Sequence, residues 1–513
     1  MALGEVEKQQ LAEFRERFAL LVDLGAISAL LDWDQQTTMP AAAGTQRAGQ
    51  AAALAGVMHE RLTDPSNGEL LERLNSITDQ LDAADAAAVR VSLREYRRAT
   101  RLPAELVREL SHNQAEGQWA WEQARAKDDF SLFLPVLERG LELQRRKADS
   151  LGYGDHPYDA LLDGFEPGMT TAEVRRIFTP LRDATLRLLE RIRDSGTVLS
   201  DALLHGDWPE AQQEQFVREV ASQIGFDFLR GRLDRAVHPF ATGLSNRDVR
   251  ITTRYSRRHL SPALFGTIHE AGHGMYEQGV DEVLCRSFAG RISSLALHES
   301  QSRLWENLIG RSGPFWEFAW PRLQELFPAA LATADRDNFV RAVNVVTPSL
   351  IRVEADEVTY NLHIMVRFEL ELQLLEGTLR PSDLSEAWNS LYAEYLGLTP
   401  DSDAEGCLQD VHWAAGLFGY FPTYTLGNLM SVQLLDAHRQ GNRDLDNQIR
   451  QGHFTELAGW LRDNVHRHGS ALDSSEVLRA ATGQTLDAKP YVDYLNGKYG
   501  RLYGFTETDG DQS

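Results

Sequence analysis

Apolar residues recur every three or four positions through most of this chain, a period that commits it to helices packed on helices. Ala172–Arg193, Glu210–Ile224 and Thr455–His466 carry it most clearly, with polar or charged residues between. The opening stretch, MALGEVEKQQLAEFRERFALL, reads as a charged amphipathic helix without a basic segment leading into an apolar one, so no secretory signal is expected. Ser261-Pro262, Thr347-Pro348 and Arg380-Pro381-Ser382-Asp383 read as helix starts. Strand-like character is confined to residues 238–258, HPFATGLSNRDVRITTRYSRR, where a Gly/Asn turn separates two β-prone pieces. A hairpin there places a sheet edge beside the helix that follows. No Pro/Gly/Ser linker, low-complexity tract or fixed repeat divides the 513 residues. The expected fold is mostly α, a single large helical domain over residues 1–513, subdivided if at all into two lobes around a groove.

Charge narrows the partners. With 52 basic and 75 acidic residues the chain carries −23, spread along its length. Binding to nucleic acid or an anionic membrane needs a clustered basic surface, so neither is expected as a partner. No run of about 18 uncharged apolar residues predicts a membrane span. Two cysteines, Cys285 and Cys407, exclude a disulfide framework and fit a reducing compartment, with the cytoplasm as the expected location. A single bridge between them stays open.

Chemistry concentrates in Ser261–Val280, SPALFGTIHEAGHGMYEQGV. Here His269 and His273 are four apart, which on a helix stacks both imidazoles on one face. Two nitrogens so placed reach one ion at bond lengths of roughly 2 Å. Glu270 projects about 100° further round the helix. A carboxylate there suits a general base in metal-assisted hydrolysis, holding water without ligating the ion. Ser261 is expected as N-cap, Pro262 as the first helical residue and Gly279 as the end, and small Ala271 and Gly272 permit a close neighbour. Catalytic zinc takes a third protein ligand, and the extended pattern with a third histidine is absent, because Tyr276 and Gly279 occupy its Gly and His places. The third ligand is therefore expected from a carboxylate. Glu277 would have to fold back along the same helix and Glu282 lies in the connecting turn. Glu299, in SLALHESQSRLWENLIG on the next helical segment, is the choice, with His298 as competitor within that motif.

Two further constellations are polar. TPSLIRVEADEVTYNLHIMVRFELELQLLEG, residues 347–377, reads as one long helix on which Arg352, Asp356 and Tyr360 recur every four residues and His363 and Arg367 continue the line. A solvated Arg–Asp pair is worth only tenths of a kcal/mol. Held by Asp356 on this otherwise apolar helix, Arg352 is alternatively a carboxylate anchor. GCLQDVHWAAGLFGYFPTYTLGN, residues 406–428, gathers Gln409, Asp410, His412, Trp413, Tyr420 and Tyr424. It suits either an aromatic core segment or a pocket wall in which His412 or a Tyr hydroxyl donates to an oxyanion.

Taken together, HPF at 238–240, D-x-R-x-T at 248–252, HEAGH at 269–273, HESQS at 298–302, I-R-x-x-A-D at 351–356 and G-x-x-Q-D-x-H-W at 406–413 resemble the carboxypeptidase Taq family of metallocarboxypeptidases. DWDQQTTMP near the start and YDALLDGFEPGMT at 158–170 extend the resemblance over nearly the whole chain. It implies an elongated helical body with a deep groove, similar to neurolysin-like and angiotensin-converting-enzyme-like zinc peptidases. A homodimer is implied as well, together with release of single residues from peptides that carry a free C-terminal carboxylate, with broad specificity. Carried over by motif, His269, His273 and Glu299 hold one divalent ion, zinc by default with cobalt possible for such a donor set. Glu270 is the general base. Arg352 becomes the partner of the substrate's carboxylate, and Arg250 either a second substrate contact or a charge paired with Asp248. His412 with Tyr420 or Tyr424 stabilises the tetrahedral intermediate. A zinc oligoendopeptidase with the same site is the alternative, and a catalytically silent helical scaffold a more distant one.

Overall fold

The computed structural model describes residues 3–505; residues 1–2, at the head of the amphipathic opening stretch, and 506–513 lie outside the described residues. Helices dominate, and among the described residues there is one three-stranded sheet. The chain forms two compact units interleaved in sequence. One comprises Met1–Thr100, Asp201–Val343 and Met430–Leu486, the other Arg101–Ser200, Asn344–Leu429 and Asp487–Ser513.

In the first unit the long helix Glu5–Thr37 buries Leu11, Phe14, Phe18 and Leu21, a three- and four-residue spacing that makes one apolar stripe. The stripe packs with Leu70, Leu71 and Leu74 of helix Pro65–Asn75 and with Val89 and Leu93 of helix Ala83–Arg101. Each such side chain contributes about 1.5–3 kcal/mol on leaving water. Farther along the long helix Trp33 is buried, with the guanidinium carbons of Arg232 and Arg250 5.0 and 4.4 Å from the indole centroid. Cation–π attraction thus ties the DWDQQTTMP segment to the sheet.

That sheet has strands β1 (Gly231–Arg235), β2 (Ala241–Ser245) and β3 (Asp248–Thr253) in the order β1-β3-β2. β2 and β3 are the expected hairpin, turning at Asn246 and Arg247; β1 runs parallel to β3. Nothing in the alternation of GRLDR announces β1, since Leu233 is its only apolar residue and the only one buried.

Helix Ser261–Gly279 packs on β3, where Thr253 Oγ1 donates to Ala263 O at 3.4 Å, and two glycines set how near its neighbours come. A Cβ at Gly274 would stand 2.6 Å from the Phe226 ring and 3.2 Å from Ile251 of β3. At Gly272 it would stand 2.7 Å from both Gln301 O and Ser302 Cα, in helix Leu295–Arg303. Ser261 is not the N-cap, as expected, but the first helical residue. Leu260 holds the cap position without a side-chain bond, because it is fully buried and its N–H donates to Leu204 O at 3.0 Å. Tertiary packing, rather than a hydroxyl, therefore starts this helix, and Gly279 ends it as read. Helix Leu295–Arg303 begins with Ser294 capping Leu297 N at 3.0 Å and runs on as a π-helix over Leu304–Ile309.

In the second unit, helices Ala104–Lys127, Leu134–Leu151, Thr171–Asp194, Leu384–Leu396 and Lys489–Tyr503 accompany one shorter than its sequence pattern. Of residues 347–377 only Tyr360–Glu376 is α-helical; a loop with a single 3-10 turn at Arg352–Glu354 precedes it. Asp356 is the reason. Its carboxylate accepts from the backbone N–H groups of Thr347, Val358 and Thr359 at 3.1, 2.9 and 3.0 Å, which stabilises the loop instead of a helix. Thr347-Pro348 accordingly starts no helix, whereas Arg380-Pro381 leads into a 3-10 turn and then helix Leu384–Leu396. Both cysteines are free thiols, and among the described residues no helix is long and apolar enough to cross a membrane.

Overpacking against backbone gives a direct test. Gly272→Ala should lower stability by about 1–3 kcal/mol, read as a fall in thermal midpoint. Gly49→Ala, where an added Cβ meets nothing within 4 Å on an exposed helix, should instead be neutral or stabilising.

Candidate functional site

His269 and His273 stand one turn apart on helix Ser261–Gly279, and helix Leu295–Arg303 brings Glu299 to them. Glu299 Oε2 lies 3.5 Å from His269 Nε2 and 3.4 Å from His273 Nε2, and the three donor atoms all fall within 4.8 Å of one another. Ligands about 2.0–2.1 Å from a tetrahedral ion are about 3.4 Å apart, so the triangle fits one divalent ion. The remaining ring nitrogens are committed. His269 Nδ1 is 2.9 Å from Glu306 Oε2, and His273 Nδ1 is 3.1 Å from the His298 carbonyl oxygen. Donating from Nδ1 leaves each Nε2 lone pair directed at Glu299, the tautomer a metal ligand needs. Two imidazoles and a carboxylate suit borderline divalent ions.

Buried charge is balanced by arginine. Arg303 Nε donates to Glu299 Oε1 at 2.6 Å, so Oε2 alone faces the histidines, and Arg303 Nη1 also reaches Glu306 at 3.4 Å. Arg311 Nη2 donates to the other Glu306 oxygen at 3.1 Å. Burial opposes ionisation of Glu299, but Arg303 and the two histidines outweigh it and hold the carboxyl well below its usual range. Glu306 is likewise held low against its burial by His269, Arg303 and Arg311. Glu270 differs. Burial dominates there and pushes it up to about 7, where a carboxyl accepts and returns a proton near neutrality. A divalent cation beside it draws that value down again. Burial, helped by His298, pushes His273 down to about 3 and so keeps it neutral. At His269 burial acts in the same direction, but Glu299 and Glu306 prevail and raise it.

The competing carboxylates go elsewhere. Glu282 pairs with Arg247 at 2.9 Å, and Glu277 lies 3.2 Å from His298 Nε2. Arg250 donates to both oxygens of Asp248 at 3.0 and 2.9 Å while lying over Trp33.

The second unit gathers the other expected residues. Arg352 is buried, but its partner is Asp410, not Asp356: Nε and Nη2 reach Asp410 Oδ1 at 3.1 and 2.8 Å, and Nη1 donates to Tyr360 OH at 3.0 Å. The expected Arg352–Asp356 pair fails because the two do not share a helix and Asp356 is occupied by backbone donors. Fully buried Arg367 also takes Asp410, its Nε 2.7 Å from Oδ2, and Gln409 accepts from Arg367 Nη2 at 2.8 Å and from the Arg352 backbone N–H at 2.9 Å. Two guanidiniums thus share one carboxylate and leave a net positive charge on the trio. His412 Nε2 lies 3.4 Å from Tyr424 OH, and its ring sits 5.3 Å from that of Tyr420. Burial, reinforced by the two arginines, pushes His412 down to about 3, so it is a neutral donor at ordinary pH. Beneath this segment buried Glu371 accepts from Tyr158 OH at 2.6 Å, Trp413 Nε1 at 2.9 Å and Gly419 N at 3.1 Å. Tyr158, from YDALLDGFEPGMT, is thereby joined to the 406–428 segment.

Sequence reasoning missed Arg303, Glu306 and Arg311. A signal existed: Arg303 is four and Glu306 seven residues after Glu299, one and two turns along the same helix. The wider π turn that carries Glu306 had none.

Comparison with known proteins places the chain. A family model described as Carboxypeptidase Taq (M32) metallopeptidase matches residues 13–499. The chain is 44% identical over 511 residues to thermostable carboxypeptidase 1 of Thermus thermophilus, covering 98% of this chain and 99% of that one. It is 39% identical to carboxypeptidase 1 of Bacillus subtilis, covering 95% and 98%. The crystal structure of the M32 carboxypeptidase from Deinococcus radiodurans R1 superposes with a TM-score of 0.94 at 43% identity, covering 97% of this chain and all of that one.

The shared carboxylate makes a pH-dependent prediction. Arg352 and Arg367 overcome the burial of Asp410 and depress it far below the value of about 3.9 expected when unfolded. Its stabilisation is therefore complete above about pH 5 and lost progressively as pH falls from there. Asp410→Asn leaves two buried guanidiniums uncompensated and should cost about 3–5 kcal/mol at pH 7. The gap from wild type in thermal midpoint should narrow as pH falls below about 4, where the unfolded chain's carboxyl takes up a proton while the native one is still charged.

Proposed function

The chain belongs to the carboxypeptidase Taq (M32) metallopeptidase family, a metal-dependent carboxypeptidase of peptides, and from that premise we propose how its residues divide the work. His269, His273 and Glu299 hold the ion. The observation that carries this is the triangle of donors, 3.4 and 3.5 Å on the two measured sides, with both imidazoles fixed through Nδ1. A divalent ion bound there supplies positive charge that polarises the scissile carbonyl and acidifies water. Glu270 accepts the proton as water attacks and then passes it to the leaving amine. Arg303 neutralises Glu299 on the side away from the histidines, and Glu306 keeps His269 in its binding tautomer.

From the second unit we propose Arg352 as the partner of the peptide's terminal carboxylate. Support comes from charge: Arg352 and Arg367 share one Asp410, and a free carboxylate neutralises the excess where an amide or internal peptide bond cannot. His412, neutral and 3.4 Å from Tyr424 OH, donates to the oxyanion as the carbonyl becomes tetrahedral. Tyr424 is preferred to Tyr420 for the second donor because it shares that bond. Arg250, committed to Asp248, is given the role of a paired charge that anchors Trp33. Release of single residues with broad specificity, zinc as the working ion, a homodimer, a cytoplasmic location and a fold similar to that of neurolysin-like and angiotensin-converting-enzyme-like peptidases belong to the same proposal.

Glu270→Gln should retain stoichiometric metal while kcat falls about 10²–10⁴-fold; wild-type turnover would remove Glu270 from the base role. Amidating the C-terminus of a test peptide should abolish release of its last residue, and an unchanged cleavage rate would favour an oligoendopeptidase. Chelation should stop release, and re-addition of zinc or cobalt should identify the working ion by the rate each restores.

A further inference from the structure

We propose that His298, steered by Glu277, is a positioning residue that holds His273 in its metal-binding orientation and locks together the two helices of the metal centre. The inference rests on the metal reading above. Three independent contacts converge on His298. Its ring lies parallel to that of His273, with centroids 4.0 Å apart and planes 18° from parallel. Its carbonyl oxygen accepts a hydrogen bond from His273 Nδ1 at 3.1 Å. Its Nε2 is 3.2 Å from Glu277 Oε1. Glu277 is four residues beyond His273, so the helix that supplies the ligand also supplies the group that fixes the ring stacked upon it.

The consequences are mechanical. Swinging the His273 ring about its Cβ–Cγ bond would break the stack and the Nδ1 bond together. Tilting His298 to make room would break its bond to Glu277. Because His298 directly precedes Glu299, the same lock sets where helix Leu295–Arg303 presents the third donor. Strand β2 takes part through an absence: a Cβ at Gly243 would stand 1.8 Å from Glu277 Oε2, so only glycine leaves that carboxylate where it is. An ordinary polar core residue needs satisfaction of its own hydrogen bonds. It does not need a ring aligned on a ligand, nor a glycine in another element clearing space for its partner.

The test uses the full-length protein loaded with cobalt, whose visible spectrum reports ligand geometry, alongside chelator competition for the metal dissociation constant. His298→Ala should weaken metal binding about 10–100-fold and shift the cobalt bands. His298→Phe keeps a stacked ring without the Glu277 bond and should lose less. Glu277→Gln, which preserves a hydrogen-bonding partner, should bind metal nearly as the wild type does. Glu277→Ala and Gly243→Ala should move toward the His298→Ala values. Cobalt bound by His298→Ala with wild-type affinity and spectrum overturns the proposal. Should that variant fail to fold, unchanged affinity and spectrum in both Glu277→Ala and Gly243→Ala overturn it equally. A wild-type protein that takes up no stoichiometric metal, or a His273→Ala variant that keeps it, refutes the metal centre itself and this inference with it.

Discussion

A single hydrogen atom at Gly272, where any other residue carries a Cβ, sets the separation of the two helices that carry the proposed metal donors. The neighbouring backbone at Gln301 and Ser302 would lie 2.7 Å from such a Cβ, and Glu299 is only two residues before Gln301. Widening the gap moves Glu299 away from both imidazoles together. Gly274 does the same toward Phe226 and the sheet, so the helix of the two histidines is pressed between β3 on one side and helix Leu295–Arg303 on another. Each contact within that stack is modest. Their effect is to leave the donor triangle little freedom, and a catalytic constellation needs that more than it needs stability.

Both units meet the same electrostatic problem in different ways. Burying a carboxylate is costly unless charge and hydrogen bonds compensate it. In the first unit Arg303 and Arg311 hold Glu299 and Glu306 ionised, while Glu270 has burial as its dominant influence and rises to about 7. Three carboxyls within one cluster thus acquire different ionisation tendencies from their surroundings alone. In the second unit the ratio is reversed, with two arginines on Asp410. An acid-rich centre attracts a cation, and an arginine-rich trio attracts an anion. The division of roles proposed for a peptide's carbonyl and its terminal carboxylate follows that difference.

How far the sequence could be read depended on whether the signal was local. The three- and four-residue periodicity located helices such as Thr171–Asp194 and Glu210–Ile224, and a Gly/Asn turn located the β2–β3 hairpin. Strand β1 escaped because its neighbour in the sheet is β3, more than a dozen residues on, and a parallel pairing leaves no turn to read. Residues 347–359 were misread as helix because their apolar spacing is helical, whereas Asp356 takes three backbone donors and fixes a loop. Propensity cannot anticipate which side chain wins that competition. The π-helical run at Leu304–Ile309 is of the same kind, since its six residues would serve an ordinary α-helix equally well.

What the sequence determined by itself was the set of groups proposed to react. Two histidines four apart with a glutamate between them, and the carboxylate of HESQS beyond, are chemistry written in spacing, because a helix converts spacing into direction without help from the rest of the chain. Tertiary structure decided everything that depends on who stands next to whom. It gave Arg352 to Asp410 instead of Asp356 and set Arg311 against Glu306. It also turned His298 from a competitor for the metal into the ring that backs His273. Those pairings join residues on separate elements or along an irregular turn. Their energies come from burial and charge at a few ångströms, quantities that exist only once the elements have packed.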